Sequence, residues 1–277
     1  MNKIELIPIR STKIIEKDTD IIEVILESLK EANIKLQNND ILVIASKVIA
    51  TAEGRMIKLD EVKYSKKAEK LAKRAHIPPA FAEIILNECD NNVIGVVPGA
   101  ITTINRYGLL ANAGADQSNA GENRVITLPK NIKKSAKEFH EALRDRLNSY
   151  VGIIIADSRT MPLRLGTVGC ALGTYGFEPI IDERGKEDLF NRPMHITVRA
   201  LADQIATAAE LLMGETNEQI PFVIVRGINI KRIPETEEKD INNLIKPDQC
   251  MFLGPLLPKK LLKKLKKKTN VGGNNGY

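Results

Sequence analysis

Apolar residues at positions 21, 22, 25, 26 and 29 recur at helical spacing. With Thr19 or Asp20 placed to cap the first turn, they predict a helix ending near Asn33. The run Asp40-Ile-Leu-Val-Ile-Ala-Ser46 has no such period. It is short, continuous and bounded by polar residues, which predicts a strand covered on both faces. Residues 65–75 and 78–87 read as two helices, the second opened by proline, where a missing amide proton is no loss. Residues 93–97, 109–113 and 124–128 read as short strands. The last two are separated by Gly114-Ala-Asp-Gln-Ser-Asn-Ala-Gly121, which is too polar for a core. Residues 135–148 form a strong amphipathic helix pattern that feeds the apolar strand Val151-Gly-Ile-Ile-Ile-Ala156 and places Asp157 at a strand end. After a glycine-rich stretch over 166–176, a long helix is expected over 196–213, stopped by Gly214, and then a strand over 221–230. The pattern is mixed α/β (α+β), with no internal repeat.

Composition agrees with a self-sufficient globular fold: of 277 residues, 43% are hydrophobic and 27% charged. No apolar run approaches the roughly 20 residues that span a bilayer. The start, Met1-Asn2-Lys3-Ile4-Glu5, lacks the apolar stretch of a secretion signal. The expectation is a cytoplasmic protein with no membrane partner. Cys89, Cys170 and Cys250 are far apart and in no Cys-x-x-Cys spacing, so reduced thiols are expected. His76, His140 and His195 are equally scattered and read as surface or structural residues.

The formal charge of +6 suggests a nucleic-acid partner until it is located along the chain. Residues 259–277 hold seven lysines and no acid, which leaves 34 basic against 35 acidic residues before them. A body over 1–257 and a basic tail over 258–277 follow. The tail suits a basic amphipathic helix for RNA or an anionic membrane, or a solvated, frayed terminus. The frayed terminus is the expectation, and nucleic acid is not expected as a partner.

Several signatures are missing: Gly-x-x-x-x-Gly-Lys-Ser/Thr, Gly-x-Gly-x-x-Gly, Gly-x-Ser-x-Gly and His-Glu-x-x-His. Carboxylate chemistry remains. Asp116 in a glycine-bounded loop and Asp157 after an apolar strand stand where hard oxygen ligands for magnesium or manganese are often found. Either alone reads as a turn or capping aspartate. Ser118 and Asn119 beside Asp116, and Ser158 beside Asp157, add oxygens and donors able to hold phosphate and metal together. Glu215, just after the long helix, adds a further carboxylate on a turn.

Five separated blocks carry a resemblance. They are residues 40–55, Asn112-Ala-Gly-Ala-Asp-Gln-Ser-Asn119, residues 157–173, Asp188-Leu-Phe-Asn-Arg-Pro-Met194, and the stretch from Ala202-Asp-Gln-Ile to Arg226-Gly227. In order and spacing they resemble the coenzyme F420:gamma-glutamyl ligase family. The resemblance implies that family's two-domain fold and an intertwined homodimer with nucleotide in a groove at the interface. It also implies its reaction: GTP activates a carboxylate of a deazaflavin coenzyme precursor as an acyl phosphate, and the amine of L-glutamate displaces phosphate. Asp116 and Asp157 would be the catalytic residues and would hold Mg2+ or Mn2+, with Ser158 and Glu215 on a second ion; K+ is a further candidate ion. GTP would be contacted by Thr12, Lys13, Ile14 and Ile15, by Ser46 and Lys47, by Asn119, and by Met213, Gly214, Glu215, Thr216, Asn217, Glu218, Gln219 and Ile220.

Two positions depart from the pattern. Thr51 stands where the family commonly has lysine, and Thr160-Met161 stands where it commonly has glycine and arginine. These departures keep two alternatives open: a GTP-dependent glutamyl ligase for another carboxylate acceptor, or a non-catalytic nucleotide-binding paralogue.

Overall fold

The computed structural model describes residues 3–234 and 244–266. Its centre is a five-stranded sheet in the order β1-β12-β2-β8-β9, made of β1 (Glu5–Ile9), β12 (Phe222–Arg226), β2 (Ile41–Ala45), β8 (Gly152–Thr160) and β9 (Thr167–Tyr175). β2 and β8 run parallel and the other pairs antiparallel. Side chains alternate across a strand, and here both faces are covered. Leu42, Ile44, Ile153, Ile155, Phe222 and Ile224 pack with α1 (Ile21–Glu31) and α5 (Ile132–Leu147). Ile41, Val43, Ile154, Val223 and Val225 pack with α6 (Leu201–Met213). The uninterrupted apolar run of β2 is the consequence, since Ile41, Leu42, Val43 and Ile44 are all fully buried.

A second core forms beside this sandwich. The apolar faces of α3 (Lys66–Ala75) and α4 (Pro79–Glu88) close on a three-stranded sheet of β4 (Val93–Val97), β5 (Ala100–Asn105) and β6 (Gly108–Ala111). Between the two cores lie the short helix α2 (Ser46–Ala52) and a ribbon of β3 (Met56–Lys58) with β7 (Arg124–Ile126). A second ribbon pairs β10 (Ile181–Asp182) with β11 (Val198–Arg199), and the chain closes with α7 (Leu253–Leu256) and α8 (Lys259–Lys266).

Several expected boundaries move, each for a local reason. β8 does not end before Asp157; β9 continues to pair with it as far as Thr160 opposite Thr167, so Asp157 lies inside a strand. The strand expected over 109–113 stops at Ala111, where residues 112–114 form a 3-10 turn with Ala113 at φ 57°. The long helix begins at Leu201 rather than 196, because Val198 and Arg199 pair with β10 instead. α5 begins three residues before Ser135, capped by Asn131 through Lys134 N–H. The strand expected over 221–230 ends at Arg226. Gly227 has φ 90°, and a Cβ there would stand 2.0 Å from the carbonyl oxygen of Lys3.

The frayed-tail expectation fails for residues 259–266. They form α8, with Leu262 8% and Leu265 0% exposed. Leu265 lines a small cavity with Tyr107, Leu128 and Pro129. The remainder of that tail, residues 267–277, lies outside the described residues. No helix among the described residues is long and apolar enough to cross a membrane. The three cysteines are free.

The sheet is tied to its neighbouring loop by a buried ion pair. Arg226 donates two hydrogen bonds to Asp40, at 2.9 and 2.7 Å, and Gln37 N–H donates a third at 2.7 Å. Asp40 is 1% exposed on its side chain and Arg226 21%. Asp40→Ala should therefore leave the guanidinium and an amide without their acceptor. The expected loss is about 3 kcal/mol, the low end for breaking a buried pair because Arg226 keeps some water. Urea unfolding of both proteins measures it, and a change below about 1 kcal/mol would remove this pair from the interactions that hold β12 in place.

Candidate functional site

The parallel register of β2 and β8 places Ala45 beside Ala156. The next residues, Ser46 and Asp157, therefore leave the paired segment side by side. Ser46 Oγ donates to Asp157 Oδ1 at 3.0 Å and fixes the carboxylate's direction. Asp157 is surrounded by protein except where it meets the cavity described below. Burial pushes its pKa up to about 6, against hydrogen bonding from Ser46 and the charges of Arg159 and Lys47. The following residue turns to the other face, where Ser158 Oγ stands 3.4 Å from Glu215 Oε2.

Lys47, the next residue on α2, reaches across to the polar loop. Its ammonium donates to Asp116 Oδ2 at 2.6 Å, to Ser118 Oγ at 2.7 Å and to Ser118 O at 3.1 Å. Asp116 is placed by backbone pairing with Ile126, and the buried Ala115 and Ala120 anchor the loop on either side. Burial alone would raise Asp116, but the hydrogen bonds from Lys47 and Ser118 outweigh it and hold the pKa below the ordinary value. Thr51, one turn after Lys47, is turned back on its own helix, with Oγ1 donating to Lys47 O at 2.8 Å.

The segment after α6 closes the site. Gly214 has φ 67°, and a Cβ there would collide with the Glu218 carboxylate at 2.2 Å. That carboxylate accepts from Thr216 N–H at 2.8 Å and Thr216 Oγ1 at 2.9 Å, and its own backbone N–H together with these two donors lowers its pKa. Asn119 Nδ2 donates to Thr216 O at 2.9 Å, joining this turn to the Asp116 loop. Glu215 Oε1 accepts from Thr167 Oγ1 at 2.9 Å. Arg10 donates to the Gln219 side chain, and Ser11 N–H to Gln219 O at 3.0 Å, so the loop after β1 lies alongside.

These elements enclose one cavity of about 1160 Å3. Asp116, Asp157, Ser158, Ser46, Lys47 and Asn119 line it, together with residues 12–15 and all of residues 213–220. The candidate site residues read from the sequence thus face the same space, except Ser118, which stays off the lining and is bonded to Lys47 and Asp116.

Glu210, in the last turn of α6, was missed. It lines the cavity, its Oε1 is enclosed with no hydrogen-bond partner, and burial together with Glu215 raises its pKa. The signal was a lone carboxylate one turn beyond the buried Ala206, at a helix end whose dipole disfavours negative charge.

Among the described residues, no three carboxylate, imidazole or thiol groups converge as a ready-made metal cage. The donors present are carboxylate and hydroxyl oxygens. They suit magnesium or manganese, which bind through one or two carboxylates and complete their shells with water and phosphate oxygens. A raised Asp157 and an unpartnered Glu210 oxygen are what an oxygen-rich site short of positive charge produces.

A model of the F420-0:gamma-glutamyl ligase family matches residues 9–227. The chain is 40% identical over 236 residues to the coenzyme F420:L-glutamate ligase of Methanopyrus kandleri, covering 85% of this chain and 89% of that protein. Identity is 36% over 225 residues to the protein of the same name from Methanothermobacter thermautotrophicus, covering 81% and 89%. It is 31% over 245 residues to that from Archaeoglobus fulgidus, covering 86% and 96%.

In metal-free protein, Asp157 binds its proton more tightly folded than unfolded. The stability this brings is complete below the ordinary carboxylate value of about 4 and is lost as pH rises through about 6. His140, buried and with its pKa lowered chiefly by burial, acts in the opposite direction near neutrality. The expected outcome is thus a difference: Asp157→Asn gains on the wild type as pH rises from about 5 to about 7.5 in EDTA. Thermal midpoints of both proteins across that range measure it, and a gap that stays constant or narrows would contradict the assignment.

Proposed function

The chain belongs to the F420-0:gamma-glutamyl ligase family, and from that we propose that it joins L-glutamate through an amide bond to the coenzyme F420 precursor, consuming GTP with divalent cations. The observation that carries the reading is one cavity, inside the family-matched segment, where Asp116, Asp157, Lys47 and residues 213–220 meet. Its size exceeds the usual 300–1,000 Å3 of a small-molecule site, which leaves room for nucleotide and acceptor together.

On this reading Asp116 and Asp157 hold one Mg2+ or Mn2+, and Ser158 with Glu215 hold a second. When bound, such ions offset the charge of the phosphate oxygens and of the developing transition state. The chain's own residues do the rest. Ser46 keeps the Asp157 carboxylate aimed at the cavity. Asn119 fixes the turn at Thr216 through its carbonyl. Lys47 lies against Asp116 at the place where a phosphate would compete for its ammonium. The γ-phosphoryl group passes to the acceptor carboxylate, giving an acyl phosphate and GDP. The neutral amine of glutamate then attacks the acyl carbon, phosphate leaves, and the amine proton is released to base or water.

The two-domain, homodimeric form belongs to the same proposal. The separate apolar cores support the first part. The second is supported by large apolar side chains left in water: Leu163, Leu165 and Leu189 stand almost wholly exposed, and Phe190 is 80% exposed. Light scattering should give twice the monomer mass at micromolar concentration, and Leu163→Glu with Leu165→Glu should give monomer. A wild-type monomer at that concentration would withdraw the dimer.

Incubation with GTP, Mn2+, L-glutamate and the deazaflavin precursor, followed by mass spectrometry, should show added glutamyl units. Asp157→Asn should lower that rate at least about 100-fold, near 3 kcal/mol of transition-state stabilisation. GTP hydrolysis with no glutamyl product from this acceptor would point to another carboxylate acceptor, and near-normal ligation by the variant at saturating metal would remove Asp157 from the metal-holding residues.

A further inference from the structure

The basic side chains on the cavity lining, among the described residues, are Lys13, Lys17, Lys47 and Arg124. Two are already neutralised: Lys13 by Glu27 at 3.0 Å and Lys47 by Asp116 at 2.6 Å. Lys17 and Arg124 form no ion pair with any described residue. Glu16, next to Lys17 and also on the lining, is not paired with it either.

Both cations belong to the same side of the cavity. Lys17 lies in the loop between β1 and α1, and that loop is fastened to the end of α2 by Asp18 N–H donating to Ala52 O at 2.9 Å. Its methylene chain is laid across Gly54: a Cβ there would meet Lys17 Cδ and Cε at 3.2 Å. Gly54 also has φ 69°, so glycine serves both the turn and the close approach. Arg124 opens β7 opposite Lys58, and one of its terminal nitrogens rests 3.5 Å from Met56 Sδ, two residues beyond Gly54. Asp157 and Glu210, by contrast, come from β8 and α6 of the central sandwich. The two cations without an ion pair therefore stand on the ribbon side, beside Glu16 and an Asp116 already engaged by Lys47, while Asp157 and Glu210 stand on the sheet side.

We propose that Lys17 and Arg124 bind an oxyanion of the substrates on the ribbon side of this cavity, either a phosphate group of the nucleotide or a carboxylate of the acceptor. The assignment rests on the ligase reading. A guanidinium and an ammonium directed at one space recognise either group by charge-assisted hydrogen bonds, and neither must first break an internal ion pair to do so.

The test compares wild type, Lys17→Ala, Arg124→Ala and the double variant. Calorimetric titration with GTP and Mn2+ gives Kd, the ligation assay gives the acceptor KM and kcat, and titration with guanosine reports binding without phosphate. Both side chains are exposed, so unchanged thermal midpoints are expected and serve as the folding control. The double variant should weaken one constant at least about tenfold, with kcat altered less than about threefold. A change in the GTP Kd with guanosine binding untouched identifies phosphate, and a change in acceptor KM alone identifies the carboxylate. Lys17→Arg should stay within about threefold of wild type, because it keeps the charge. The weakened binding should also depend less on salt concentration. If wild type ligates and the double variant matches it within about twofold in both constants, the inference fails while the ligase reading stands. A wild type that neither binds GTP nor ligates takes down both.

Discussion

Two strands that run the same way finish on the same side of a sheet, and the pairing of β2 with β8 uses this to build the site. Their register sets Ala45 against Ala156, so Ser46 and Asp157 emerge together and Lys47 follows within reach of Asp116. The register is enforced by the core. Leu42, Ile44, Ile153 and Ile155 belong to one apolar layer and Ile41, Val43 and Ile154 to the other. A slip of one residue would exchange the layers and turn the polar ends away from each other. Packing energy spread over both faces therefore holds a few polar atoms in place.

The site so formed is rich in carboxylate and poor in free positive charge on its sheet side. Lys47 is engaged by Asp116, Asp157 is pressed toward its neutral form by burial, and Glu210 stands against Glu215 with an oxygen that meets no donor. Burial of like charges is tolerated when protons or cations relieve it. On the proposed reading, the stability of this region and an affinity for cations are two expressions of the same electrostatic imbalance. The loops that carry the remaining lining residues are rigidified locally, by Glu218 on Thr216, by Asn119 on Thr216 and by Arg10 on Gln219.

Outside the family-matched segment, the chain adds α8, whose Leu262 and Leu265 are buried. Their spacing places them on one side of the helix, and Lys259, Lys260 and Lys263 are exposed, so apolar docking and a basic surface coexist. The sequence expectation of a frayed terminus fails for these residues, because a short Leu/Lys pattern gives the stripe without its partner.

The sequence by itself determined the strands and helices with a clear period. β2, α1, α3 and α4 lie within a residue or two of expectation, since burial on one stripe or on both faces writes itself into the order of apolar residues. The family resemblance also named many of the residues that line one cavity, among them residues 12–15 and 213–220. Three things were decided only by tertiary structure. Asp157 lies within β8 because β9 goes on pairing where the apolar run has stopped, and a hydrogen-bonded partner is not visible in the strand's own residues. Glu210 became part of the site because α6 packs with Ala206 and Glu210 toward the cavity, a rotation set by its neighbours. Lys17 and Arg124, 107 positions apart, stand on one wall because Asp18 is bonded to Ala52 and β7 to β3. Local sequence records what each segment must bury; which charged residues share a space depends on contacts between segments, and folding alone supplies those.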